Sequence, residues 1–114
     1  MATQISVTKS QGTWVVRAGG AVLGESKNAL ELSEGDYPAV IYFPRSDIAM
    51  AFLDQAERTS FCPHKGDATY FNIVTKSQVI ENAGWSYESP LDAVSAIAGH
   101  IAFYNNDLVA VEQL

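Results

Sequence analysis

The chain has 114 residues and a mass of 12.3 kDa, enough for one domain that buries its own core without disulfides or metal. Thirteen acidic residues against seven basic ones leave a formal net charge of −6, which repels a phosphodiester backbone and sets nucleic acid aside as a partner. A single cysteine forbids an intramolecular disulfide, and with two histidines it is too few for a closed zinc site, so no zinc is expected. Met1-Ala2-Thr3-Gln4-Ile5 has neither a basic nor an apolar signal segment, and no apolar run approaches the ~20 residues of a membrane span. The expectation is a cytoplasmic protein without a membrane partner.

The elements read mostly as β. Thr13 to Ala18 and Ala21 to Glu25 are rich in strand formers and flank Gly19-Gly20, a two-residue loop suited to a primed hairpin turn. Ala29 to Leu32 predicts a third strand, ended by the turn cluster Ser33-Glu34-Gly35-Asp36. Val40 to Phe43 predicts a buried strand stopped at Pro44. From Ser46 to Leu53 the signals conflict. Ser46 and Asp47 are helix caps, but Ile48, Met50 and Phe52 alternate as in a strand, so extended or short 3₁₀ structure is expected.

Phe61-Cys62-Pro63-His64-Lys65-Gly66 gathers the only cysteine, a histidine and a lysine in a stretch where proline fixes φ and glycine admits left-handed backbone. It predicts a rigid bend from which Cys62, His64 and Lys65 project. Ala68 to Thr75 and Gln78 to Tyr87 predict a second strand pair joined at Lys76-Ser77, with Gly84 marking a bulge. Ser89-Pro90-Leu91 before Asp92 to Ala98 predicts a capped short helix ended by Gly99. Strands over His100 to Tyr104 and Leu108 to Val111 complete the chain. The fold class expected is mainly β: one domain over residues 1–114, built of antiparallel strands with one or two short helices.

Taken together, Tyr42-Phe43-Pro44-Arg45-x-Asp47, Cys62-Pro63-x-Lys65-Gly66-x-Ala68-x-Tyr70, Trp85-x-Tyr87 and Ala98-Gly99-x-Ile101-Ala102-Phe103-Tyr104 resemble the family called domain of unknown function 427, from about Trp14 to Val111. The resemblance implies a small, mainly-β domain of bacterial type, related to the β-tent architecture of zinc-binding and methionine-sulfoxide-reducing proteins. This chain lacks their paired Cys-x-x-Cys knuckles, so it would not inherit their zinc. The family also carries a nucleotidyltransferase-like label. The residues do not support it: no pair of carboxylates stands at i and i+2 on a recognisable strand to share metal ions, and no Gly-x-x-x-x-Gly-Lys-Ser/Thr turn is present.

The candidate site residues each have a structural and a functional reading. Cys62 is either a small buried hydrophobe or a thiolate favoured by His64 or Lys65. Lys65 is a solvated turn residue or an anion holder. Arg45 and Asp47 pair or cap locally, or Arg45 grips a carboxylate or phosphate with Asp47 orienting it. Trp85 and Tyr87, at i and i+2, share a strand face that serves packing or ligand stacking, and Glu81 extends that alternation as an acid or base. His100 reads as structural. Three function classes follow: a small-molecule site for an anionic or nucleotide-like ligand held by Lys65 and Arg45 beside the Trp85/Tyr87 face; a thiol redox enzyme using Cys62; and an interaction module whose aromatic face docks a partner or a second copy.

Overall fold

The computed structural model describes residues 4–114. Ten antiparallel strands form two sheets. The larger contains β1 (Ile5–Lys9), β4 (Leu30–Glu34), β5 (Val40–Phe43), β9 (Ile101–Phe103), β8 (Val79–Ser86), β7 (Gly66–Val74) and β6 (Leu53–Cys62), in that order across the sheet. The smaller contains β10 (Val109–Gln113), β2 (Trp14–Ala18) and β3 (Ala21–Ser26). Gly19 and Gly20 both have positive φ and turn β2 into β3, as a primed turn requires. The chain is therefore mainly β, and among the described residues its helical part is confined to short 3₁₀ segments: Arg45–Asp47, Met50–Phe52 and Asp92–Ile97.

Side-chain alternation divides the apolar residues between the two faces of the large sheet. Val16, Leu23 and Val109 from the small sheet pack with Phe43, Ile73, Ile101 and Phe103 to fill the space between the sheets. On the opposite face Leu32, Tyr42, Ala68, Tyr70, Tyr87 and Ala102 form a second cluster, joined by Val94 and Ile97 of the last 3₁₀ segment. Each apolar face is thus removed from water by a different element, the main source of stability for a two-layer domain.

Several elements differ from the sequence expectations for physical reasons. The third strand begins at Leu30 and runs on through Ser33 and Glu34, because β1 supplies its hydrogen-bonding partner; the turn starts only at Gly35, whose φ is 54°. β1 itself had a signal, the alternation of Ile5 and Val7. β6 had none: it is an edge strand carrying Asp54, Gln55, Glu57, Arg58 and Thr59, mostly exposed, so it shows no apolar period. The Asp92 segment is 3₁₀ with a kink at Val94, and Leu91 caps it without a side-chain hydrogen bond, so Ser89 does not act as its cap. The bulge assigned to Gly84 lies before it. Phe71 pairs Gly84 and Ile73 pairs Ile80, so Glu81, Asn82 and Ala83 together oppose Asn72, with Asn82 at φ 53° and its amide donating to Asn72 Oδ1 at 2.8 Å. Gly84 has another duty. A Cβ there would lie 3.1 Å from both the Ala102 carbonyl oxygen and the Phe103 ring.

Among the described residues, no helix is long and apolar enough to cross a membrane.

Candidate functional site

Lys65 organises the most distinctive feature of the molecule. It stands in the β6–β7 turn, where its amide donates to the Cys62 carbonyl at 3.1 Å and Gly66 follows at φ 110°. The turn is held in place by the Leu91 amide, which donates to the Lys65 carbonyl at 3.0 Å. Lys65 Nζ reaches Glu34 Oε1 at 2.9 Å, at the end of β4. Between β7 and β4 stand β8, β9 and β5, so in a flat sheet the two would be separated by four steps of about 4.8 Å each, beyond a lysine's reach. The ion pair therefore closes across a sheet that curls, and the concave face is a hollow.

The hollow has a volume of about 230 Å³ and is lined by all five tyrosines of the chain: Tyr37, Tyr42, Tyr70, Tyr87 and Tyr104. Trp85, Leu32, Pro38 and Val40 complete the apolar wall, and Lys65 and Glu34 are its only charged lining residues among those described. Register explains the aromatic floor. Ala102 pairs with Tyr42 on one side and Trp85 on the other, and its small side chain lets the two rings meet edge to face at 6.4 Å, with Trp85 Nε1 donating to Tyr42 Oη at 3.1 Å. Tyr104 lies against the other side of Trp85 at 4.7 Å. Tyr70 Oη is 3.0 Å from Ser60 Oγ, and the Arg58 guanidinium covers the Tyr70 ring at 4.8 Å.

The electrostatics follow from burial. Lys65 and Glu34 keep only 14% and 17% of their side chains exposed, so water screens the pair poorly. Burial works against the charge on Lys65, but the Glu34 carboxylate and the neighbouring Cys62 outweigh it and hold the ammonium above its usual range. Burial pushes the Tyr42, Tyr87 and Tyr104 hydroxyls up, keeping them protonated donors beyond the ordinary tyrosine range. At neutral pH the hollow thus contains one compensated ion pair and a ring of neutral hydroxyls.

The predicted site residues do not all gather here. Lys65, Trp85 and Tyr87 line the hollow. Arg45 does not. It follows β5 on the face turned toward the small sheet, where Nη2 donates to Ser86 Oγ at 3.3 Å and pairs with Glu88 Oε1 at 2.6 Å, while the guanidinium lies 5.7 Å over Phe71. Lys65 Nζ lies 5.9 Å over the Tyr87 ring, whereas Arg45 binds Ser86; these neighbours are consecutive and face opposite ways, so the two cations lie on opposite faces and do not share one anion. Asp47 accepts from Ser26 Oγ at 2.6 Å, and Ser26 in turn accepts from the Asn28 amide at 2.9 Å, so Asp47 fixes the end of β3. Glu81 is exposed beyond the Asn82 bulge, which displaces it from Trp85; it borders a shallow depression with Glu57 and Arg58. His64 is exposed at the tip of the bend, and His100 Nδ1 lies 3.2 Å from the Ala98 carbonyl. Cys62 is half-buried against the aromatic cluster and is not part of the lining.

What sequence reading missed is Glu34 and four of the tyrosines. Glu34 reads in sequence as part of a turn cluster, and Tyr37, Tyr42, Tyr70 and Tyr104 come from segments that only the sheet order brings together. Among the described residues no three His, Cys, Asp or Glu side chains gather as metal ligands.

No curated protein matches the chain. A family model does, over residues 6–113, and by this match the chain belongs to the family described as domain of unknown function (DUF427).

Proposed function

We propose that the chain is a small-molecule binding domain whose ligand seats one planar, polar-edged ring of nucleobase type in the tyrosine-lined hollow. The observation that carries this reading is the convergence of five tyrosines and Trp85 on a single concavity. Aromatic walls favour a flat π-face, at about 1–3 kcal/mol per stacked base in other proteins. The volume of about 230 Å³ falls below the ~300–1,000 Å³ of pockets for drug-sized ligands, which limits the enclosed part to about one ring. Glu34 compensates Lys65, so the hollow offers polar atoms for orientation without the net positive charge that a phosphate cluster would need. This favours a neutral ring over a strongly anionic ligand, and Arg45, engaged on the other face, adds no charge to it.

Binding rather than turnover is the better reading. The thiol of Cys62 stands outside the lining, and the one amine in it, Lys65, is held as an ammonium by Glu34 and so is not a free nucleophile. A thermal-shift screen separates the alternatives. Nucleobases and nucleosides should raise the melting temperature, since a ligand at 100 times its Kd adds about 2.7 kcal/mol of stability, and adding phosphates should not improve on the nucleoside. Stabilisation by sugar phosphates and organic acids, with none by heterocycles, would contradict the proposal.

A further inference from the structure

Beside the tyrosine hollow runs a larger groove of about 760 Å³, walled by Trp14, Ala39, Ile41, Phe103 and Val111. It forms where the chain enters β5 through Pro38 and Ala39 and leaves β9 through Tyr104 and Asn105, neighbours because β5 and β9 are antiparallel. Tyr37, Pro38, Val40, Trp85 and Tyr104 line both spaces, so the groove and the hollow open into each other around the tilted Trp85–Tyr104 contact.

Three polar side chains around the groove are already committed. Trp14 Nε1 donates to Ser10 Oγ at 2.8 Å, and Trp85 Nε1 donates to Tyr42 Oη at 3.1 Å. Asn105 exchanges two hydrogen bonds of 3.3 Å with the Val111 backbone, one in each direction. No charged side chain lines it among the described residues. An occupant therefore finds apolar surface and no free hydrogen-bonding group on these three side chains, which suits hydrocarbon and penalises a phosphate or sugar.

We infer that the ligand is amphipathic: its planar polar ring fills the tyrosine hollow, and an apolar substituent, an alkyl or isoprenoid-like chain, leaves that ring and lies in the adjoining groove. This rests on the ring-binding reading proposed above and adds the chemistry of what is attached to the ring. A nucleotide, whose substituent is a charged sugar phosphate, is then the wrong class, while a ring bearing a hydrocarbon tail is the right one.

The test uses alkyl esters of 4-hydroxybenzoic acid, which keep one planar polar ring and lengthen only the chain: methyl, propyl, pentyl and heptyl, titrated calorimetrically into the intact protein. Affinity should rise about threefold to fourfold per added methylene until the groove is filled. Ala39→Glu supplies the control, because Ala39 is exposed, lies outside the strands and lines the groove but not the hollow. In that variant the methyl ester should bind as before and the dependence on chain length should flatten. A methyl ester that binds with no gain from lengthening overturns the apolar tail and leaves the ring site standing. A gain from lengthening that persists unchanged in Ala39→Glu places the tail elsewhere and also overturns it. Failure of every ester to bind overturns it too, while nucleoside binding in the thermal-shift screen would still support the ring site. Self-association in sedimentation that excludes the heptyl ester would assign the groove to a second copy of the chain, and the inference would fall.

Discussion

The pair Lys65–Glu34 concentrates the account at the scale of single residues. Each partner is too enclosed to be replaced freely, and removing one leaves the other charged in poor contact with water. Glu34→Gln and Lys65→Met should each destabilise by about 1–3 kcal/mol, and the double variant should lose less than the sum, because it leaves no orphaned charge. Urea unfolding of the four proteins measures this; additive losses would mean that the two side chains are independent. Half of this pair was legible in the sequence. Lys65 stands in a Pro/Gly bend that marks itself, whereas Glu34 ends a strand whose partner β1 lies on the far side of the β2–β3 hairpin in sequence, so Ser33-Glu34-Gly35-Asp36 reads locally as a turn. Arg45 shows the converse: it also follows a proline, yet it opens the 3₁₀ segment after β5 and turns to the other face to bind Ser86 and Glu88. Chain spacing cannot reveal that, since facing depends on register.

Among elements, β8 decides which residues reach the hollow. Its bulge re-aims the strand between Ile80 and Gly84, placing Trp85 over the hollow and leaving Glu81 outside. Asn82 at φ 53° tolerates this backbone as few residues do, so Asn82→Gly should keep stability within about 1 kcal/mol while Asn82→Val should lose about 1–3 kcal/mol. Thermal denaturation distinguishes the pair, and equal stability would show that the bulge relaxes. Gly84→Ala should also destabilise by about 1–3 kcal/mol, because its Cβ would press on the Ala102 carbonyl and the Phe103 ring at 3.1 Å. Elements with strong local signals were readable: the Gly19-Gly20 hairpin, the run Val40–Phe43 and the strand pair around Lys76-Ser77. The polar edge strand β6 was not, because its place comes from pairing with β7 and not from an apolar pattern of its own.

For the whole molecule, the enclosed hydroxyls and ammonium impose a limit on alkaline stability. Tyr42 and Tyr87 are raised from 10.0, and Lys65 is raised from 10.5. Below pH 10 all three are protonated in both folded and unfolded chains and contribute no pH dependence. Above it the unfolded chain releases these protons while the folded chain retains them, so stability falls with rising pH, by up to about 1.4 kcal/mol per pH unit for each proton. Melting temperatures between pH 8 and 12 should therefore be level and then drop from about pH 10, with a shallower drop in Tyr87→Phe; a flat profile to pH 12 would mean that these groups are accessible to water in the folded state. Ring binding on the curled face of the large sheet can be followed through the two indole N–H resonances while nucleosides are titrated into ¹⁵N-labelled protein. Trp85 Nε1–H, bonded to Tyr42 inside the hollow, should shift progressively and saturate, and Trp14, which lines only the groove, should move less. A Trp85 resonance that stays fixed while amides around Arg45 and Glu88 move to saturation would contradict this reading and place the ligand on the opposite face.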